Sequence, residues 1–222
     1  MNILAFDTST IACSVALYLS EPEPDGQTLS AHEICPMQHT AKVLPMIQSL
    51  LDAAKLTLDQ LDAIAFGCGP GSFTGIRIAS SLAQGLAFAK SLPVIPISSL
   101  AATAQAAYLQ QGCDRILVAV DARMDQIYWG AYQVEDGLVQ AVIPDELSLP
   151  DAITQVPIAD WSGVGDGWRQ YGEILTERLQ FQPRTINGAG LPSAVAILPI
   201  AIDRFRRRDW VGPAEALPVY LR

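Results

Sequence analysis

Residues 61–90 read LDAIAFGCGPGSFTGIRIASSLAQGLAFAK, and this stretch decides the fold class. The run Leu61–Gly67 is short, apolar and bounded by turn residues, so it fits a buried strand. The glycine-rich segment Gly69–Gly75 follows at once, and a helix is predicted from about Gly75 to Lys90. A strand, a glycine turn and a helix in this order are typical of an α/β protein.

Strands and helices also alternate in the rest of the chain. Apolar runs predict a three-stranded meander over 2–7, 11–19 and 27–35. From Thr40 to Ala54, apolar residues recur at the spacing of an amphipathic helix. Further strands are predicted over 94–97, 116–121, 126–134 and 137–143, and further helices over 99–110, 169–180 and 193–208. This order predicts mixed sheets flanked by helices.

The charge balance bears on nucleic-acid binding. With 14 basic and 23 acidic residues the chain has a net charge of −9, which argues against a surface that binds a nucleic-acid backbone unaided. Any RNA role would therefore need a basic partner. Arginines do cluster at 204–208, but Asp203 and Asp209 flank them, and we interpret the cluster as a solvated helix end.

Cysteine and histidine usage exclude several classes of protein. The four cysteines are scattered without a CxxC pair, and the chain opens directly as a strand, so we expect a cytoplasmic protein with reduced thiols. The uncharged stretch 91–113 contains prolines, glutamines and serines, so no membrane span is predicted. His32 and His39 lack the spacing of a zinc hydrolase, and no GxSxG elbow displays a serine. The sequence therefore predicts neither a metal site nor a catalytic residue.

The glycine-rich segment allows two interpretations. Glycines followed by a helix can expose backbone N–H groups to an anion such as phosphate. The Walker pattern, however, needs a Lys that this segment lacks, so a purely structural turn between strand and helix is an equal alternative. Asp7 after the first strand, and Asp121 at the carboxyl end of a later one, could face the same crevice. A degenerate nucleotide site would then consist of Asp7, Gly69, Gly71, Ser72, Thr74, Gly75 and Asp121.

The predicted helix 75–90 carries no charge between Arg77 and Lys90 and is apolar nearly all round. Ile78, Leu82 and Leu86 form one face that can meet the sheet. A stripe of alanines on another face then needs cover, which either burial inside a large domain or a helix contact with another subunit would provide. Together with the amphipathic helix 40–54, the predicted partner interface comprises Leu44, Ile47, Leu51, Ala79, Ala83 and Ala87.

Motifs along the whole chain resemble the TsaB family, also called YeaZ. The most specific ones are the GPGSFTG segment 69–75 and the DAR segment 121–123, in the family's order and distance. The remaining ones are His39-Thr40, Leu44-Pro45, Arg77-Ile78, Tyr128 and the closing segment 218–222 (PVYLR). One departure is Gln126, where relatives often have Glu, so this chain lacks that carboxylate. Asp7-Thr8-Ser9 separately resembles the first hairpin of the actin and sugar-kinase class, with Ser9 in place of the usual glycine.

The resemblance implies an actin-like fold with two lobes, of which the second is reduced. The boundaries we expect are 1–100 for the first lobe, which can also include part of 193–208, and 101–222 for the second. It also implies a non-catalytic subunit in the formation of N6-threonylcarbamoyladenosine at adenosine 37 of tRNA. The catalytic partner would be TsaD, and the ATPase TsaE would dock on the pair.

The resemblance further implies that the chain has no cofactor of its own, because ATP is used by the partner subunits. The tRNA would be bound through the complex, and the free chain can form a homodimer by pairing the same surface. An alternative from the enzyme class is an independent actin-like ATPase that holds a magnesium nucleotide with Asp7, the glycine-rich segment and Asp121.

Overall fold

The computed structural model describes residues 1–21 and 26–222, which pack as two compact units. The first unit contains residues 1–102 and 192–219, and the second contains 103–191 and 220–222. The expected lobes were 1–100 and 101–222, with part of 193–208 able to join the first. In the structure the segment 192–219 as a whole packs with the first unit.

The first unit is built on a five-stranded mixed sheet. Its strands are β1 (Asn2–Asp7), β2 (Ala12–Leu19), β3 (Gln27–Ile34), β4 (Ala63–Gly69) and β5 (Val94–Ser98), in the order β3-β2-β1-β4-β5. The first three strands form an antiparallel meander, and β4 and β5 continue the sheet parallel to β1. Three helices follow β3, β4 and β5 in turn: α1 (His39–Ala54), α2 (Phe73–Phe88) and α3 (Ser99–Gln111).

Helices cover both faces of this sheet. Along β1, Leu4 and Phe6 pack into a core beneath α1 and α2, whereas Ile3 and Ala5 point to the opposite face. The opposite face is covered by the last helix of the chain, α5 (Ala194–Arg206). Because both faces are buried, β1 and β4 are apolar on both sides, which is why they read as continuous apolar runs in the sequence.

The second unit repeats the strand order of the first with fewer residues. Its sheet contains β6 (Arg115–Asp121), β7 (Ile127–Glu135), β8 (Leu138–Ser148), β9 (Ser162–Val164) and β10 (Thr185–Asn187), in the order β10-β9-β6-β7-β8. The helix α4 (Asp166–Leu179) connects β9 to β10. Where α1 connects the third and fourth strands of the first sheet, residues 149–161 connect β8 to β9 without a helix. These features confirm the predicted α/β, actin-like fold with two lobes and a reduced second lobe.

The predicted elements before residue 145 agree with the structure to within a few residues. The strands β9 and β10 are not among the predicted elements, because the glycines of 162–167 and the prolines and glycines of 183–192 favour turns. Both strands are three residues long, too short to display a period of two. Among the described residues, no helix is both long and apolar enough to span a bilayer.

Candidate functional site

The glycine-rich segment lies directly on the turn that follows β1. Because β1 and β4 are neighbouring parallel strands, their carboxyl ends meet at the same edge of the sheet. The backbone N–H of Ser72 donates a hydrogen bond of 2.7 Å to the carbonyl oxygen of Ser9. The Thr8 hydroxyl donates to the carbonyl oxygen of Gly75, also at 2.7 Å. The loop and the turn are therefore hydrogen-bonded to each other directly.

Glycine is required at this contact because the two backbones approach so closely. A Cβ atom on Gly71 would lie 2.5 Å from the carbonyl oxygen of Ser9, and one on Gly75 would lie 2.0 Å from that of Thr8. Gly69 is in the left-handed region at φ +109°, which favours glycine for a second reason. The space between the loop and the turn therefore cannot accommodate a methyl group.

The Asp7 carboxylate is enclosed by its neighbours. Its side chain is buried and accepts hydrogen bonds from the Ser9 N–H and hydroxyl, both at 2.8 Å. The Ser99 hydroxyl contacts the other carboxylate oxygen at 3.4 Å, and a Cβ atom on Gly67 would lie 1.8 Å from that oxygen. Burial raises the pKa of Asp7, and the hydrogen bonds from Ser9 and Ser99 oppose this rise.

The remaining polar residues of the segment belong to the start of α2. The Ser72 side chain accepts a hydrogen bond of 3.3 Å from the Gly75 N–H and caps the helix. Thr74 is exposed in the first turn. The N–H of Gly69 donates to the Ser99 hydroxyl at 3.2 Å. Within 1–21 and 26–222, no group of three or more His, Cys, Asp or Glu side chains is placed to share a metal ion.

Asp121 lies in the second unit and organises the turn between β6 and β7. One carboxylate oxygen accepts a 2.9 Å hydrogen bond from the Arg123 N–H, and the other lies 3.0 Å from the Arg123 guanidinium. The three residues Arg123, Met124 and Asp125 all adopt left-handed backbone angles. After this turn, Gln126 accepts a hydrogen bond from the guanidinium of Arg222. The structure thus gives Asp121 a structural role, because its carboxylate pairs with Arg123 at this turn.

The structure corrects which faces of α1 and α2 are exposed. Apart from Leu44, all the predicted partner contacts lie in the core of the first unit: Ile47 and Leu51 are 3% exposed, and Ala79, Ala83 and Ala87 are 0% exposed. The alanine stripe faces the sheet because small side chains let α2 approach β4 closely. Ile78, Leu82 and Leu86, which were expected to meet the sheet, are only partly buried at the edge of that core. A partner cannot reach the five buried residues in this fold.

The exposed side of the two helices carries different residues, which we call the α1–α2 face. It comprises Leu44, Gln48, Phe73, Arg77, Ser81, Gly85 and Phe88. Phe73 is 60% exposed and Phe88 79%, and the Arg77 guanidinium lies 3.7 Å above the Phe73 ring. The sequence contained a signal for this face, because Arg77 and Ser81 are four residues apart and both mark the solvent side of α2.

The matching family model and two similar proteins all concern the threonylcarbamoyl modification of tRNA. The family model described as "TsaD: tRNA N6-adenosine threonylcarbamoyltransferase" matches residues 32–191. The chain is 40% identical to the tRNA threonylcarbamoyladenosine biosynthesis protein TsaB of Escherichia coli K12, over all of this chain and 95% of that protein. The corresponding protein of Haemophilus influenzae is 37% identical over all of this chain and 94% of its own length.

Two solved structures extend the agreement to the fold. "YeaZ from Pseudomonas aeruginosa" is 44% identical with a TM-score of 0.89, over 99% of both chains. A second structure from the same organism, of "an uncharacterized protein with similarity to peptidase YEAZ", is 45% identical with a TM-score of 0.91, over 100% of this chain and 99% of that one. The chain belongs to the TsaB family of tRNA threonylcarbamoyladenosine biosynthesis proteins.

Proposed function

We propose that this chain is a non-catalytic subunit that binds and supports TsaD in forming N6-threonylcarbamoyladenosine at adenosine 37 of tRNA. TsaE joins the pair, the partner subunits use the ATP, and tRNA is bound through the complex in the cytoplasm. The closed contact between the glycine-rich segment and the Thr8–Ser9 turn supports the non-catalytic part of this proposal, and membership of the TsaB family supports its place in tRNA modification. A phosphate group is larger than the methyl group that already fails to fit between them.

Exposed apolar side chains support a docking role for the α1–α2 face. Leu44 is 50% exposed, and Phe73 and Phe88 are more exposed still. Large apolar side chains grouped on one surface are typical of protein–protein contacts, with aromatic residues and Arg as common anchors. The buried alanines and Ile47 have an indirect part, since they fix the positions of α1 and α2 on the sheet.

Two glycine-to-arginine variants test this proposal by their assembly with TsaD. Gly85 lies on the α1–α2 face, and a Cβ atom there meets nothing within 4 Å, so Gly85→Arg leaves the fold intact. We expect it to abolish co-elution with TsaD, because it places a bulky charge in the middle of the docking surface. Gly172→Arg is the matched control, since Gly172 is also helical and open but lies in α4. Assembly by Gly85→Arg equal to that of the control would refute docking by this face.

The free chain offers a related test. We propose that without TsaD the same face pairs two copies by two-fold symmetry. Light scattering should then detect a dimer for the Gly172→Arg variant and a monomer for Gly85→Arg. A dimer formed equally by both variants would assign self-association to another surface.

The alternative, an independent actin-like ATPase, would require the contact between the glycine-rich segment and the Thr8–Ser9 turn to open for a nucleotide. Its phosphate oxygens would have to enter the space between Gly71, Gly75 and the Thr8–Ser9 turn, and a magnesium ion would need an accessible Asp7 carboxylate. Calorimetry of the isolated chain with magnesium ATP tests it. Tight binding with turnover would favour the ATPase, and we expect neither.

A further inference from the structure

Two arginines at the end of α5 are not accounted for by the local ion pairs. Arg204 pairs with Asp209 at 2.6 Å, and Arg207 pairs with Asp203 at 3.1 Å. Arg206 and Arg208 are exposed, and neither forms an ion pair within residues 1–21 and 26–222. The exposure of these arginines agrees with the expected solvated helix end. The flanking aspartates pair with Arg204 and Arg207 and leave the cationic groups of Arg206 and Arg208 at the surface.

An aromatic pair lies among these arginines. Phe205 and Trp210 stack with ring centroids 5.2 Å apart and an interplanar angle of 30°. Both rings are partly exposed and pack with one side on the core beneath α5. The other three tryptophans, Trp129, Trp161 and Trp168, are at most 3% exposed, so Trp210 is the most accessible indole of the chain.

The base of this patch is fixed to the sheet. The Arg204 guanidinium donates a 2.6 Å hydrogen bond to the Pro96 carbonyl oxygen of β5. The N–H and the carbonyl of Val211, which follows Trp210, both bond to Val94. A patch that is already ordered loses little conformational freedom when it binds a ligand.

The patch and the α1–α2 face lie on opposite sides of the first sheet. The helix α5 covers the face of the first sheet opposite to α1 and α2. A partner on the α1–α2 face therefore leaves the end of α5 open. Residues 203–209 contain four arginines and two aspartates in a chain of net charge −9, so they form a local cationic site on an acidic protein.

We propose that Arg206 and Arg208, beside the Phe205–Trp210 stack, contact the tRNA that the complex modifies. The inference rests on the proposed function, because the acidic chain would bind tRNA only when a partner supplies further contacts. The two guanidinium groups pair with backbone phosphates, and the exposed side of the aromatic pair offers a surface for an unstacked base. Basic side chains also suit the carboxyl end of any helix, so the test must separate RNA binding from helix stabilisation.

The two effects are separated by measuring how salt changes the affinity of an unmodified tRNA transcript for the complex of this chain with TsaD. Log K falls as log salt rises, and each lost phosphate contact makes this slope shallower by about 0.7 to 0.9. The Arg206→Gln/Arg208→Gln complex should therefore have a slope shallower by about 1.4 to 1.8. The same contacts predict a weakening of roughly 25- to 60-fold near 0.1 M salt. Arg206→Lys/Arg208→Lys keeps both charges and should retain the slope.

The control removes two positive charges elsewhere. Lys55 and Arg184 are exposed and lie outside α5, so Lys55→Gln/Arg184→Gln should leave both the slope and the affinity unchanged. An unchanged slope for the Arg206→Gln/Arg208→Gln complex would overturn the inference. So would equal losses in that complex and in the control, which would indicate a general effect of net charge.

A measurement on the unaltered complex covers the case in which a variant fails to assemble. Photo-crosslinking of tRNA that contains 4-thiouridine should label the peptide 204–210, and labelling confined to other peptides would overturn the inference. Failure of the unaltered chain to assemble with TsaD would instead refute the proposed function. The two hypotheses therefore fail in distinguishable ways.

Discussion

Replacement of Gly75 by alanine should destabilise the protein, although alanine is normally the better helix former. The added Cβ atom would lie 2.0 Å from the carbonyl oxygen of Thr8 and 3.0 Å from its carbonyl carbon. Since ordinary contacts begin near 3.4 Å, the start of α2 must move by about 1.4 Å or the turn must yield. Both neighbours are backbone, so no flexible side chain can absorb the displacement.

The expected cost combines three effects. Overpacking of this kind costs about 1 to 3 kcal/mol. Weakening of the hydrogen bond from Thr8 to Gly75 adds about 0.5 to 1.5 kcal/mol, and the helix preference of alanine returns about 1 kcal/mol. The net loss in free energy of unfolding is therefore about 0.5 to 3.5 kcal/mol. Gly85→Ala in the same helix meets no atom within 4 Å and should gain about 0.5 to 1 kcal/mol.

Urea unfolding followed by far-UV circular dichroism measures both variants. A loss of about 2 kcal/mol lowers the midpoint by roughly 1 M at the usual dependence on urea. Three of the four tryptophans lie in the second unit, so tryptophan fluorescence would report mainly on that unit. Hydrogen exchange of the α2 amides should therefore be used to assign the loss to the first unit. Gly75→Ala as stable as the unaltered chain would refute the close contact between loop and turn.

Three further predictions concern single polar groups. Burial raises the pKa of Asp7 above its unfolded value of 3.8, so the free energy of unfolding falls as the pH rises from 3.8 through the pKa of the folded state. Asp7→Asn should flatten this part of a urea-unfolding pH series. A profile that the substitution leaves unaltered would exclude Asp7 as the source of the pH dependence. Thr8→Val removes the hydrogen bond to the Gly75 carbonyl and should cost about 0.5 to 1.5 kcal/mol in urea unfolding, and no loss would argue against that bond. Gln126→Glu should gain at most about 1 kcal/mol through an exposed ion pair with Arg222; a gain in thermal stability that survives high salt would contradict this origin.

The sequence predicted the first sheet well because its strands are long and buried on both faces. Strand β1, the glycine-rich segment and α2 are each signalled by local patterns that agree with the tertiary structure. The two short strands β9 and β10 have no such pattern, since three residues do not establish a period. Their pairing is also non-local, because β9 pairs with β6 and β10 pairs with β9. Glycine clusters at 163–167 also favoured a turn over a strand.

The candidate site was predicted less well, because side-chain direction depends on how closely two elements approach. From the sequence, Ile78, Leu82 and Leu86 are larger and more apolar than the alanines and so were expected to face the sheet. The structure reverses this, because α2 lies close to β4 and only alanines fit between them. In the same way, three glycines indicated space for an anion, whereas here Gly71 and Gly75 permit backbone contact with the Thr8–Ser9 turn. Whether glycine makes a cavity or fills one cannot be decided from residue types alone.

The central claim is that this chain acts as a docking subunit and not as an enzyme, and its most direct test is the threonylcarbamoyladenosine content of tRNA in a reconstituted reaction. TsaC, TsaD and TsaE are combined with threonine, bicarbonate and ATP, with the unaltered chain, with the Gly85→Arg or Gly172→Arg variant, or with no addition. We predict modification with the unaltered chain and with Gly172→Arg, and none with Gly85→Arg or without addition. Modification that proceeds equally well without the chain would contradict the claim.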